Sequence, residues 1–156
     1  MSITDRIVVM KDGRVHQIGK PQEVYDDPVD LFVAKFLGTP PINVFDGSVE
    51  SGKLILGGEE VLDVKGVGDR DVTVGIRPEG FLLDDKGAFG CDMSRVEVMG
   101  RDVSVISTHK DCQGGTLRSI IQAENKVDTS KKKIRFTLKK NKVFLFDKDS
   151  GERIRY

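Results

Sequence analysis

At 156 residues the chain is long enough for one ordinary domain, or for two small ones that share burial. Hydrophobic residues make up 38% and aromatics 6%, with no Trp and 32% charged residues, which argues for a modest aliphatic core and a water-facing surface. Formal charge is zero, yet residues 1–109 carry 12 basic and 19 acidic side chains against 13 and 6 in residues 110–156, which favours internal or subunit-to-subunit contact, or two solvated faces, over a polyanion partner.

The longest apolar runs, Ile7–Met10 and Val143–Phe146 among them, fall far short of the roughly 20 residues that span a bilayer. Met1 is followed by Ser-Ile-Thr-Asp-Arg rather than a basic patch and an apolar run, so no leader is expected. Cys91 and Cys112 are too few and too far apart for a zinc knuckle, and reduced thiols in a cytoplasmic chain are expected.

In chain order, Ile7–Met10 and Val15–Ile18 flank Asp12-Gly13, a strong two-residue hairpin signal. Pro21 suits the first turn of a helix that must break near Pro28. Asp27 reads as the cap of a second helix, on which Phe32, Val33, Phe36 and Leu37 share a face, and Gly38 closes it. Thr39-Pro40-Pro41 disfavours helix and sheet alike and marks a boundary. The segments are therefore 1–38, a linker at 39–43, and 44–156.

Beyond the linker the texture is all-β. Short runs recur, among them VFDGSV, KLIL, EVLDV, DVTVGI, RVEVM, DVSVIS, SIIQAE, KIRFTL and KVFLF, separated by turn clusters such as ESGK, LGGEE, GVGDRD, KGAFG and CQGG. Alternation is clearest where Ile134, Phe136 and Leu138 point one way and Lys133, Arg135 and Thr137 the other. The fold class expected is mainly β, one or more small barrels of short strands behind a short α+β segment, a hairpin and two short helices.

The run DRIVVMKDGRVHQIGKPQEVYDDPVDLFVAKFLGTPPIN closely resembles the end of the ATP-binding domain of ABC-type import ATPases of the maltose and glycerol-3-phosphate class. Asp5-Arg6, Gly13, Gln17, Gly19, Pro21, Glu23, Tyr25, Pro28, Phe32, Val33, Ala34, Phe36, Gly38, Pro40, Pro41 and Asn43 stand where that pattern puts them. Later, VGIRPEGF resembles the family's Gly-x-Arg-Pro-Glu strand end, SRVEVMGRDVSV its Val-Glu-x-x-Gly hairpin, and NKVFLFDKDSGERI its closing Phe-Asp-x-x-Thr-Gly-x-Arg-Ile. Gly80 stands where the family often has His, and Ser150 where it has Thr.

This resemblance implies the last ribbon and helices of an ATP-binding domain followed by a regulatory tail of oligonucleotide/oligosaccharide-binding (OB) type, two interleaved five-stranded barrels that make dimer contacts. Met1 falls on an internal Met of the family's Ala-Met-Ser/Thr-x-x-Asp-Arg-Ile run, which implies a start far upstream. The implied partners are a second copy, membrane-spanning permease subunits and a regulatory protein, at the inner face of the cell membrane. The implied parent binds ATP and Mg²⁺.

For the chain itself no catalytic residue, cofactor or metal is expected. ATP hydrolysis needs a Gly-x-x-x-x-Gly-Lys-Ser/Thr loop and a carboxylate pair. Neither Gly66–Gly75 nor Gly19-Lys20-Pro21 supplies that loop, and the Leu-Ser-Gly-Gly-Gln signature is missing from the sequence. His16 and His109 have no partner at ligand spacing, and DKDSGE reads as an Asp-led turn because Glu152 takes the sixth position where a calcium loop wants Gly. The basic stretch 130–142 reads as a strand rather than a nucleic-acid face, since Phe136 shares its side with core residues.

Four residues are candidates for an interface or ligand contact. Arg77 and Glu79 flank Pro78 and either meet a partner or satisfy local backbone groups at a strand end; Phe32 and Phe36 would pack on the barrels or on a partner chain once the rest of their core is elsewhere. Two functions stay open: a non-catalytic regulatory and dimerisation part of an importer for sugars or related solutes, and a module that senses a small ligand or oxyanion, for which SVISTHKDCQGGT supplies hydroxyls and glycines. The transported solute is not legible.

Overall fold

A computed structural model describes residues 5–156; the reading of Met1 lies outside them. Strands β1 (Ile7–Lys11) and β2 (Arg14–Gly19) form a ribbon. Lys11 pairs with Arg14 across Asp12 and Gly13, both at positive φ (51° and 76°), as the twist of a two-residue hairpin requires. Ser51 and Gly52 repeat the device between β3 (Asn43–Glu50) and β4 (Lys53–Leu56).

Helix α1 (Pro21–Asp26) starts on Pro21, and α2 (Leu31–Phe36) follows Pro28. Its cap is Asp30, not the expected Asp27: Asp30 Oδ1 accepts from Val33 N at 2.9 Å, while Oδ2 meets His16 Nδ1 at 2.5 Å. The cap shifts because Asp30 is still extended, with Arg153 N donating to Val29 O at 3.1 Å and a bridge from Asp30 to Glu152 holding the segment before the helix. Of the apolar face expected on α2 and just beyond it, Phe32, Val33 and Leu37 share one cluster and Phe36 does not join it. Val33 packs with Val9 and Val24, Ala34 packs under Ile42, Val44, Phe144 and Phe146, and Phe36 stays 58% exposed. A helix of six residues wedged between a ribbon and a sheet buries two adjacent positions rather than one long stripe.

The remaining strands are β5 (Glu59–Asp63), β6 (Arg70–Ile76), β7 (Phe81–Leu83), β8 (Phe89–Met99), β9 (Asp102–Thr108), β10 (Thr116–Gln122), β11 (Lys133–Leu138), β12 (Val143–Asp147) and β13 (Arg153–Ile154). They make two antiparallel sheets, β10-β9-β8-β11-β7 and β13-β12-β6-β3-β4-β5. Both sheets line one core, in which Phe45 meets Phe89 edge-on at 5.6 Å and Phe81 meets Phe136 at 5.2 Å. Each fully buried Phe or Leu contributes roughly 1.5–3 kcal/mol. The fold is mainly β, barrel-like and of OB type, as expected.

Strand β8 is longer than the expected RVEVM. Its first two residues fall in the KGAFG run expected as a turn; Phe89–Asp92 pair with β11, and Asp92–Met99 pair with β9 across a bulge at Met93/Arg95. Asn43 fastens the sheets to each other: Nδ2 donates to Ile76 O at 3.1 Å and to Arg118 O at 2.9 Å, while Oδ1 accepts from Arg118 N at 2.9 Å. The DKDSGE turn is led by Asp147, whose Oδ1 accepts from Asp149 N and Ser150 N at 2.9 and 2.8 Å. The Ser150 amide, the Arg70 guanidinium and the Asp149 amide together hold its carboxyl down at about 2.

The turn before β8 is a close approach. A Cβ on Gly87 would stand 2.3 Å from the Phe136 carbonyl. Gly87→Ala is therefore expected to lower stability by about 3 kcal/mol, read as a drop in the urea midpoint at unchanged slope. Wild-type stability in that variant would show that the β8–β11 spacing is not fixed there.

Candidate functional site

The expected contact residues separate into two places. Arg77, just after β6, is fully buried. Its Nη1 donates to Ala34 O at 2.8 Å and Leu37 O at 3.0 Å, and Nη2 to Tyr25 O at 2.8 Å. The guanidinium lies 3.9 Å from the Tyr25 ring centroid and 5.6 Å from that of Phe144. Only a planar fork of donors can reach both helix ends at once. These carbonyls are orphans of α1 and α2, and cationic donors at helix C-termini satisfy them favourably.

Glu79 completes the same joint. It accepts from Tyr25 Oη at 2.6 Å and has Lys142 Nζ at 3.5 Å. Burial pulls its carboxyl up, but the Tyr25 hydroxyl, its own backbone amide and Lys142 outweigh burial and hold it below the usual range. Burial, with the Glu79 contact, pushes the Tyr25 phenol well above its ordinary value. Arg77 and Glu79 thus both enter an internal joint whose hydrogen-bond partners lie 40 to 54 residues away in sequence.

A second seam runs beside it. Leu31 N donates to Gly151 O at 2.9 Å, and Arg153 Nη1 donates to Asp27 Oδ1 and Pro28 O at 3.0 and 2.8 Å. Phe32 lies on the ribbon, its ring 5.1 Å from that of His16, and next to exposed Phe36. On the ribbon's outer face Val8 pairs with Ile18 and Met10 with Val15, all four about half exposed.

Sequence reasoning missed a cleft of about 440 Å³ where the two sheets and the loop after β9 meet. Glu59 Oε1 accepts from Gly90 N at 2.9 Å and its other oxygen from Arg135, tying β5 to β8 and β11. The His109 ring is stacked 5.0 Å from Phe89 and edge-on to Phe45. Burial lowers its pKa, and Nδ1 accepts from Asp111 N at 3.1 Å, so the neutral ring carries its proton on Nε2. Gly57 leaves room for that nitrogen, since a Cβ there would stand 2.8 Å from it. Burial pushes the nearby Cys91 thiol up to about 12 and Cys112 to about 11, leaving both unreactive. The only signal available beforehand was the polar, glycine-rich loop 107–116.

Removing Arg77 leaves three buried carbonyls unmatched. Arg77→Ala is expected to destabilise the chain by about 3 kcal/mol or more, and hydrogen exchange should quicken over 21–37 before the β-core opens. Uniform quickening would contradict a local joint. For Glu79, a pKa below the unfolded value means stability present above the ordinary carboxylate range and lost as pH falls through the folded value. Glu79→Gln should flatten that acid limb of the melting midpoint; an unchanged limb would assign it to other carboxylates.

No family model matches the chain. Among curated proteins it is 33% identical over 156 residues to the sn-glycerol-3-phosphate import ATP-binding protein UgpC of Jannaschia sp., covering 99% of this chain and 43% of that protein. It is 31% identical over 167 residues to the protein of the same name from Roseobacter denitrificans, covering 99% and 45%. An uncharacterized ABC transporter ATP-binding protein of Sinorhizobium fredii is 36% identical over 163 residues, covering 99% and 42%. The chain thus spans less than half the length of these relatives. Similarity over nearly its whole length, to less than half of each relative, identifies the chain as part of an ABC-type import ATP-binding protein.

Proposed function

We propose that the chain is the non-catalytic regulatory and dimerisation part of the ATP-binding subunit of an importer for glycerol 3-phosphate, sugars or related solutes. In this reading residues 1–38 end the ATP-binding domain, 39–43 link, and 44–156 form the tail. The observation that carries it is the buried Arg77 joint, which ties the ends of α1 and α2 to the end of β6 in the six-stranded sheet. Any displacement of the preceding ATP-binding body is then passed to the tail without a flexible hinge.

The exposed apolar ribbon face supports the same reading, because four aligned aliphatic side chains suit a surface that another part of the subunit covers. ATP and Mg²⁺ belong to the intact subunit, which would work as a homodimer with permease subunits at the inner face of the membrane, open to a regulatory protein. Among the described residues no helix is long and apolar enough to cross a membrane. A second reading, a module that senses a small ligand or oxyanion, has the cleft beside His109 in its favour.

Two measurements test the first reading. The purified chain should release no phosphate from ATP above blank in a malachite-green assay; turnover would overturn the non-catalytic assignment. A chimera in which this chain replaces the corresponding part of the Jannaschia relative, assembled with its permease, should support ATP-driven uptake. The same chimera with Arg77→Ala should lose uptake more than ATPase activity, and equal loss of both would show that the joint carries no coupling.

A further inference from the structure

The cleft beside His109 has more than a shape. Lys110 and Lys133 line it, and neither is in an ion pair among the described residues, whereas Arg135 is already matched by Glu59. Asp92 faces Lys133 across the β8–β11 register and is likewise outside any ion pair among the described residues. His109 adds one neutral donor, Nε2–H, which has no acceptor among the described residues. Its floor is Ile134 and Cys91, buried and apolar.

Those groups define a ligand by complement. Two ammonium groups in the lining suit a dianion, because charge-assisted hydrogen bonds are the strong ones. A free carboxylate can only accept, so it suits a hydroxyl donor. About 440 Å³ lies within the range of small-molecule sites and would be mostly empty around a bare oxyanion. We propose that this cleft binds a small phosphorylated sugar or polyol, with its phosphate held by Lys110 and Lys133 and a hydroxyl by Asp92. The proposal rests on the ligand-sensing reading above and gives it a ligand class. It is independent of catalysis, since no bond is made or broken.

The site is built from both sheets: Glu59 comes from the six-stranded sheet, Gly90 and Arg135 from the five-stranded one, and occupancy would fasten them together at that edge. A ligand that binds only the folded state raises the melting midpoint. Amide shifts in an NMR titration of the 156-residue chain then locate it. Glucose 6-phosphate should raise the midpoint and shift Gly57, Gly90 and Lys110, while glucose or inorganic phosphate alone binds about tenfold more weakly or less. Both lysines are exposed, so Lys110→Ala with Lys133→Ala should keep the fold and weaken glucose 6-phosphate at least tenfold.

Equal affinity for phosphate alone, equal affinity for glucose alone, or shifts confined to another face would overturn the ligand class or its placement while leaving ligand sensing intact. Wild-type affinity in the double variant would overturn the role of the lysines. No shift with any of the three probes would overturn the proposal and the ligand-sensing reading together.

Discussion

A single buried guanidinium decides how this chain is organised. Arg77 leaves the end of β6, enters the space between two aromatic rings, and donates to three carbonyls from the two helices. Burying a cation costs several kcal/mol unless its donors are matched. Here the matching partners are the helix ends themselves, so the helices cannot leave without exposing a buried charge to an apolar gap. Its Nε has no partner among the described residues, so the joint is fixed by the geometry of the fork rather than saturated.

The rest of the architecture follows from such fasteners. Asn43, immediately after the Pro-Pro link, bonds across both sheets, while Gln17 donates to Asp27 O and accepts from Val29 N, bracing the break between the helices. Asn43 and Gln17 both lie in the run that resembles ABC-type importers. Their common property is mechanical: each spans a gap between elements that hydrophobic packing alone would allow to slide. The dense aliphatic and Phe core supplies most of the free energy, and these polar bridges select one arrangement of it.

The cleft obeys a different logic. Its polar groups are drawn from positions 57 to 135, and among the described residues Lys110, Lys133 and Asp92 enter no ion pair. Cations that a fold does not need for itself are the ones available to a ligand. The same contrast separates Arg135, held by Glu59 and by the Gly87 carbonyl at 2.7 Å, from its neighbour Lys133 on the same strand.

Much of the local structure was legible from residues alone. Asp12-Gly13 needed only its own backbone preference to make a hairpin, Pro21 and Pro28 only their fixed φ to bound α1, and Ile134, Phe136 and Leu138 only alternation to reach the core. These are signals of short range, and the motif spacing added the family. What only the tertiary structure decided depends on partners far away in sequence. It set the length of β8, the splitting of α2 between two cores, the cap at Asp30, the conversion of Arg77 and Glu79 from contact candidates into an internal joint, and the cleft. The partner of a buried charge leaves no trace in periodicity, since Arg77 and Leu37 are 40 residues apart and meet only because two sheets and two helices have already packed.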